Sequence, residues 1–361
     1  MGEKLILIDG HSILNRAFYG VPDLTNAEGI HTNAMYGFLN ILFKFLDEEK
    51  PDYITVAFDL SAPTFRHKAF DGYKGTRKPM QPELKQQVPL MKELLKAMNI
   101  TVVEQEGYEA DDILGTIAKE SAAKGIDVSI VSGDRDLLQL ADEHIKIRIP
   151  KTKKGVTEVE DYYPSDVFNL YGVTPHEFID VKALMGDTSD NIPGAPGIGP
   201  KTASAIIREY HSLDNVFEHL CELKPPKAKT SITENIEQIK MSRFLSEIKI
   251  DVPIDYKVED SKLQSNVMNL KEQELKLKND IDYLVNEIKN KKDNLNSKEK
   301  EYNEKSHYRQ TISYSKGLPL LFFRHLSLTY IHSGRVPDPP GREIFPRAAG
   351  FQIACVPRLS A

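Results

Sequence analysis

Only two cysteines, Cys221 and Cys355, occur in 361 residues, too few for a disulfide framework or a cysteine-built zinc site. A basic excess is also missing. The formal net charge of −6 does not advertise a nucleic-acid binder. The apolar segment Leu318–Ile331 carries Arg324 and His325 and falls short of the ~20 residues that span a bilayer. The N-terminus reaches Asp9 after four apolar residues, so it does not read as a signal peptide. MGEKLI lacks the Ser or Thr that a myristoylation signal carries at its sixth position. A cytoplasmic protein with no membrane partner is expected. No Ser/His/Asp or Cys/His nucleophile set stands out, and His11, Asn15 and Tyr19 beside Asp9 receive no catalytic role.

What the chain does have is acid in places where acid is costly. Nine carboxylates fall in five short clusters: Asp9 in LILIDG, Asp59 in ITVAFD, Glu109, Asp111 and Asp112 in GYEADD, Asp134 and Asp136 in SGDRD, and Asp187 and Asp190 in GDTSDN. Side chains that acidic repel one another when brought together unless cations bind between them. Oxygen-only ligands suit hard divalent ions such as magnesium or manganese. The pattern points to metal-dependent phosphate chemistry. Against the acidic total, residues 66–85 are locally basic, with Arg66, Lys68, Lys74, Arg77, Lys78 and Lys85 facing only Asp71 and Glu83.

The chain is long enough for one large domain or two smaller ones. Short apolar or β-branched runs at Leu5–Ile8, Ile54–Phe58, Thr101–Val103 and Val128–Val131 read as buried parallel strands. Helical stretches at Ala34–Glu49, Pro82–Met98 and Ala110–Lys124 lie between them, the last stopped by Gly125. This alternation predicts an α/β fold, a doubly wound and mostly parallel sheet flanked by helices. Ligands of such sheets bind beyond the carboxyl ends of the strands. Asp9, Asp59 and the Asp134/Asp136 pair each follow a strand within about three residues, which puts them on one edge.

From Pro164 to about Pro253 helices are expected at 164–171, 175–185, 200–210, 213–221 and 231–247, with the Gly- and Pro-rich GDTSDNIPGAPGIGP as a non-helical link. Residues 263–302 carry a heptad pattern in which nine of twelve seam positions are apolar, as in a coiled coil that self-associates. Residues 261–310 hold ten Lys and one Arg, whereas 311–361 hold one Lys and five Arg. That switch, together with Pro337, Pro339, Pro340, Pro346 and Pro357, suggests a tail of different origin with no fold of its own. Four segments are expected: an α/β domain over 1–163, a helical subdomain over 164–260, a coiled-coil helix over 261–310, and a disordered tail over 311–361.

Residues 1 to about 260 resemble the 5′ nuclease domain of bacterial DNA polymerase I, within the flap endonuclease superfamily. The resemblance lies in LILIDGHSILNRAFYG, GIHTNAMYGF, VAFDLSAPTFRHKAFDGYKGTRKPMQPEL, GYEADDILG, SGDRDLLQL and LMGDTSDNIPGAPGIGPKTA, in the family's order and spacing. It implies a PIN-like fold with a helical arch and two-metal hydrolysis of a phosphodiester. Two Mg2+ or Mn2+ ions about 4 Å apart would activate a water and stabilise the leaving 3′ oxygen. The family pattern puts Asp9, Asp59, Glu109, Asp111 and Asp112 mainly around the first ion, and Asp134, Asp136, Asp187 and Asp190 around the second.

The resemblance assigns Lys74 and Arg77 to gripping the scissile phosphate diester, a fitting task for fixed cations beside developing negative charge. Arg16 and Arg66 match further phosphate-facing positions, and Tyr73 could stack on a base. GAPGIGPKTA reads as a helix-hairpin-helix element. Gly194, Gly197 and Gly199, with Ile198, Lys201 and Thr202, would hold duplex phosphates and a K+ ion at a helix start. Such an element reads backbone rather than sequence. The expected activity is a structure-specific 5′-3′ exonuclease and 5′-flap endonuclease acting on flaps, nicked or gapped duplex, and RNA–DNA hybrid 5′ ends, in primer removal and repair. No polymerase segment is recognised. Two other readings stay open: a DNA-binding protein that has lost cleavage, and a coiled-coil oligomerisation protein with an appended nuclease.

Overall fold

The structure, a computed structural model, describes residues 2–153, 156–264, 291 and 293–298. Six strands form one sheet: β1 (Lys4–Asp9), β2 (Tyr53–Ala57), β3 (Thr101–Val103), β4 (Asp127–Val131), β5 (Ile145–Lys153) and β6 (Val156–Tyr162). Their order is β3-β2-β1-β4-β5-β6. All pairings are parallel except that of β5 with β6. The expected mostly parallel sheet is present. The β5–β6 hairpin was not foreseen, because IKIRIPKTK and VTEVEDY alternate apolar with charged residues as an edge ribbon does.

The helices that precede the β5–β6 hairpin are α1 (Gly10–Gly20), α2 (Asn33–Glu49), α3 (Phe65–Ala69), α4 (Pro82–Lys85), α5 (Gln87–Ala97) and α6 (Ala110–Ala123). Those that follow the hairpin are α7 (Pro164–Tyr171), α8 (Pro175–Met185), α9 (Pro200–Tyr210), α10 (Leu213–Glu218), α11 (Pro226–Glu234) and α12 (Ile236–Ser246). Two expected helices are broken. Pro82–Met98 divides into α4 and α5, and the stretch expected as 231–247 is covered by α11 and α12, which meet at Asn235. The heptad segment, apart from residues 263–264 and the helical residues 291 and 293–298, and the tail 311–361 lie outside the described residues.

Strand alternation sorts the core into two layers. Leu5 and Leu7 of β1 face a cluster with Ile113, Leu114 and Ile117 of α6 and Phe178, Val181 and Leu184 of α8. Ile6 and Ile8 face Leu14 of α1, Phe38, Leu42 and Phe45 of α2, and Met91 and Leu95 of α5. A strand covered on both faces must be apolar throughout, and LILI meets that demand. The helical segment α8–α12 shares the first of these cores, so it is anchored on the sheet rather than tethered beside it.

Arg66 is part of this scaffold. Its guanidinium donates to both Asp112 carboxylate oxygens, at 2.7 and 2.8 Å. It also donates to the backbone carbonyls of Leu245 at 2.9 Å and Glu247 at 2.7 Å. One buried side chain thus ties α3 to α6 and to the end of α12. The expectation that Arg66 faces a phosphate and Asp112 a metal is therefore corrected. Arg66 is 2% exposed and Asp112 0%, and Asp112 also accepts the backbone N–H groups of Glu109 and Lys249. Neither has capacity left for a ligand. Removing one partner of a buried pair leaves an uncompensated charge. Arg66→Ala should therefore lower stability by about 3–5 kcal/mol in urea unfolding; a loss under about 1 kcal/mol with a large loss of nucleic-acid affinity would contradict this role.

Candidate metal centre

Strand β1 lies between β2 and β4, so the chain leaves β1 and β4 in neighbouring loops at one edge. An open α/β sheet gathers ligands at such a point. Asp9 ends β1 and caps α1, its Oδ1 accepting the Ser12 N–H at 2.9 Å. Ser132, after β4, donates its hydroxyl to Asp9 Oδ2 at 2.8 Å, while Gly133 N–H donates to the Ser12 hydroxyl at 2.8 Å. The SGDRD turn is thereby fastened to the start of α1. Asp134 then accepts the Asp136 N–H at 2.8 Å. Asp59, just past β2, accepts the Ala110 N–H at 2.8 Å, which fixes it against the start of α6. His11 accepts the Asp59 backbone N–H and lies 3.4 Å from its Oδ2, a supporting contact that the sequence did not reveal.

The consequence is crowding of negative charge. Burial first, and the neighbouring Asp59 charge next, push the Asp9 carboxyl up to about 6. Burial and the charges of Asp9, Asp134 and Asp59 hold Asp111 well above the ordinary carboxylate range. Burial and Asp134 push Asp136 up to about 7. Asp134 thus acts on both Asp9 and Asp136, linking two acidic groups. In Asp59, burial is outweighed by His11, the Ala110 amide and the Lys74 charge, which bring it to about 2. Asp111 Oδ1 is buried with no hydrogen-bond partner. A buried, unpartnered oxygen among four mutually repelling carboxylates is what a site for a hard cation needs.

Among the described residues, no group of three or more histidine, cysteine, aspartate or glutamate side chains is arranged as it stands to hold a metal ion. Protein cations and backbone amides hold many of the oxygens instead. Lys182 of α8 is the largest omission of the sequence reading: its Nζ lies 2.7 Å from Asp136 Oδ1 and 2.6 Å from Asp187 Oδ2. The Lys182 and Ser189 contacts overcome burial and bring Asp187 to about 2. Only its place one turn before Gly186 in VKALMGD could have flagged it.

Glu109 and Asp190, expected as metal ligands, face the basic segment. Glu109 accepts from Lys74 Nζ at 2.8 Å and from the Tyr73 hydroxyl at 3.0 Å. Asp190 pairs with Arg77, and its backbone carbonyl accepts the Lys74 N–H at 2.8 Å. Lys74 has φ +56, a left-handed backbone that is strained for a side-chain-bearing residue. Tyr73 is 4% exposed and lies against His67, ring centroids 5.2 Å apart; the expectation that it stacks on a base is corrected, since its ring is packing. Arg16 stands near the SGDRD turn. A Cβ on Gly133 would lie 3.1 Å from an Arg16 terminal nitrogen, and the Arg16 Nε is buried with no hydrogen-bond partner.

The glycine-rich link divides in two. Gly186 and Gly194 have positive φ, and a Cβ on Gly194 would lie 2.4 Å from the Gly186 nitrogen. Their close approach shuts the acidic loop, with Asp187 and Ile192 paired through backbone bonds of 2.8 and 2.7 Å. Gly194 N–H donates to the Ser242 hydroxyl at 3.0 Å, and Ile198 is buried with its N–H donated to Ala195. Gly194 and Ile198 therefore shape the loop rather than present groups to a phosphate, a correction to the sequence reading. Gly197, Gly199 and Lys201 are exposed and Thr202 half-exposed, at the start of α9.

Two family models match this chain: the 5′-3′ exonuclease N-terminal resolvase-like domain over residues 4–172, and the 5′-3′ exonuclease C-terminal SAM fold over residues 173–269. DNA polymerase I of Bacillus caldotenax is 47% identical over 264 residues, covering 73% of this chain. The chain spans 30% of that relative's length. Among solved structures, T5 5′-exonuclease with bound divalent zinc superimposes with TM-score 0.58 at 22% identity, over 68% of this chain and 90% of that one. The bacteriophage T5 D15 flap endonuclease, in a pseudo-enzyme-product complex with DNA and metal ions, gives 0.58 at 21% identity over 68% and 89%. These two likenesses establish a shared fold. With both family models placed end to end over residues 4–269, the chain belongs to the 5′-3′ exonuclease family.

Proposed function

We propose that this chain is a metal-dependent 5′-3′ exonuclease and 5′-flap endonuclease that hydrolyses phosphodiesters in DNA. The observation that carries the reading is the acidic edge of the sheet, where Asp9, Asp59, Asp111 and Asp134 repel one another around a buried, unpartnered Asp111 oxygen. We assign these residues to a first divalent cation, and Asp134, Asp136 and Asp187 to a second. Mg2+ and Mn2+ suit such a donor set, since magnesium keeps several waters and needs few direct carboxylates. Bound there, a cation pair supplies Lewis acidity to the phosphodiester oxygens and lowers the pKa of an attacking water.

The chain's own residues supply orientation and charge. Lys74 and Arg77, now paired with Glu109 and Asp190, are close enough to the acids to meet a phosphate arriving beside them. Their fixed positive charge stabilises the charge gathered in the transition state. Arg16, beside the SGDRD turn, we assign to a phosphate beyond the Asp9 loop. Gly197, Gly199, Lys201 and Thr202 form the exposed start of α9, which we assign to the duplex backbone and, with it, a K+ ion. Recognition of backbone alone implies selection by shape, so 5′ flaps and nicked or RNA-primed ends are the substrates favoured. The T5 flap endonuclease complex with DNA and metal ions supports this reading, as do the DNA polymerase I relatives.

A 5′-flap duplex should be cut with Mg2+ and left intact with EDTA. Asp134→Ala should abolish cleavage while flap binding, measured without cleavage in EDTA, changes little; normal turnover in that variant would refute the assignment. Lys74→Ala should slow single-turnover cleavage by about 10²–10³-fold and change affinity far less. The acidic edge also predicts a pH effect. Asp9 and Asp136 titrate at about 6 and about 7 when folded, above the ordinary 3.8, so between those values the folded state holds more protons than the unfolded one. Stability then falls as pH rises. Without metal, the thermal midpoint should rise by a few degrees from about pH 7.5 to about pH 5.5, and Mg2+ should remove that gain. A midpoint that drops over this interval in EDTA would contradict the charge assignment.

A further inference from the structure

Lys182 lies at the acidic edge without touching the groups that the proposed chemistry uses to hold a phosphate. It projects from the last turn of α8, its side chain 6% exposed, and its ammonium contacts Asp136 and Asp187 at once. Asp136 comes from the turn after β4 and Asp187 from the glycine-closed loop after α8. The lysine therefore joins two segments whose carboxylates repel each other. Asp134 is close enough to repel Asp136, and the Lys182 ammonium is the positive charge in contact with both Asp136 and Asp187.

We propose that Lys182 is a positioning residue that serves as resident counter-cation of the Asp136–Asp187 pair, preorganising both carboxylates and weakening the second divalent cation's affinity. This rests on the reading of Asp134, Asp136 and Asp187 as that cation's site. Two effects oppose each other. The ammonium holds the carboxylates together before any divalent ion arrives, which lowers the cost of assembling the site. It also occupies one oxygen of each and repels any second positive charge, and at contact distance with partial burial that repulsion is the larger effect. Among the described residues, no lysine contacts the carboxylates of the first acidic group, Asp9, Asp59 and Asp111; Lys74 acts on Asp59 and Asp111 through its charge. The two sites should consequently differ in affinity, with the second filling firmly only when a substrate phosphate adds its own negative charge.

Mn2+ titration of the intact chain, read by the paramagnetic resonance signal of the free ion, tests this directly. The wild type should show one tighter and one weaker Mn2+. Lys182→Met should tighten the weaker Mn2+ by about ten-fold or more and leave the tighter one within about three-fold. Lys182→Gln, neutral but able to hydrogen-bond, should behave likewise and carries the test should the methionine variant fail to fold. Lys182→Arg, which keeps the charge, should retain the weak second ion. A second-ion affinity unchanged or weakened in both neutral variants would overturn the proposal while leaving the metal centre intact. A wild type that binds no second Mn2+ would overturn both.

Discussion

Mutual repulsion among carboxylates at the carboxyl edge of the sheet is the constraint around which the rest of this structure is arranged. An isolated buried carboxylate is costly, and several facing one another are more so. The fold reaches this state through connections that leave little slack. β1 and β4 run side by side, Asp9 caps α1, and the Ser12, Ser132 and Gly133 hydrogen bonds fasten one acidic loop to the next. The scaffold beneath is apolar on both faces of the central strands. It holds the acids at separations they would not choose for themselves.

Protein cations share that burden in distinct ways. Arg66 neutralises Asp112 inside the scaffold and is sealed there. Lys74 and Arg77 pair with Glu109 and Asp190 at the margin. Lys182 sits between Asp136 and Asp187. Asp111 Oδ1 and Arg16 Nε are left buried without hydrogen-bond partners, one an acceptor and one a donor. On the proposed function Asp111 belongs to the cation site and Arg16 to the phosphate.

Much of this was legible in the sequence. Strands β1 to β4 follow from LILI, ITVAF, TVV and VSIV, short apolar or β-branched runs of which LILI, ITVAF and VSIV lie inside the sheet and TVV at its edge, and helices 164–171, 175–185 and 200–210 coincide with α7, α8 and α9. The α1 helix was missed because its run follows directly on Asp9 and its start is set by that side chain. The β5–β6 hairpin was missed because edge strands alternate. Within the site, residue type and order announced the acids but not their partners. Asp112 belongs to the same GYEADD cluster as Asp111, yet it is one helical position further on and points into the scaffold toward Arg66. Which of two adjacent aspartates faces outward is a property of helix phase and of a guanidinium 46 residues away in sequence. Tyr73 and Gly194 were misread for the same reason, since their tertiary neighbours Glu109 and Ser242 are remote along the chain.

Crystals of the chain soaked in Mn2+ and read by anomalous scattering would test the central claim most directly. The account predicts one strong peak among Asp9, Asp59, Asp111 and Asp134, and a weaker one beside Asp136 and Asp187 that strengthens when a 5′-phosphorylated duplex is bound. Peaks confined to other surfaces, or an acidic edge that stays free of manganese with DNA in place, would contradict it.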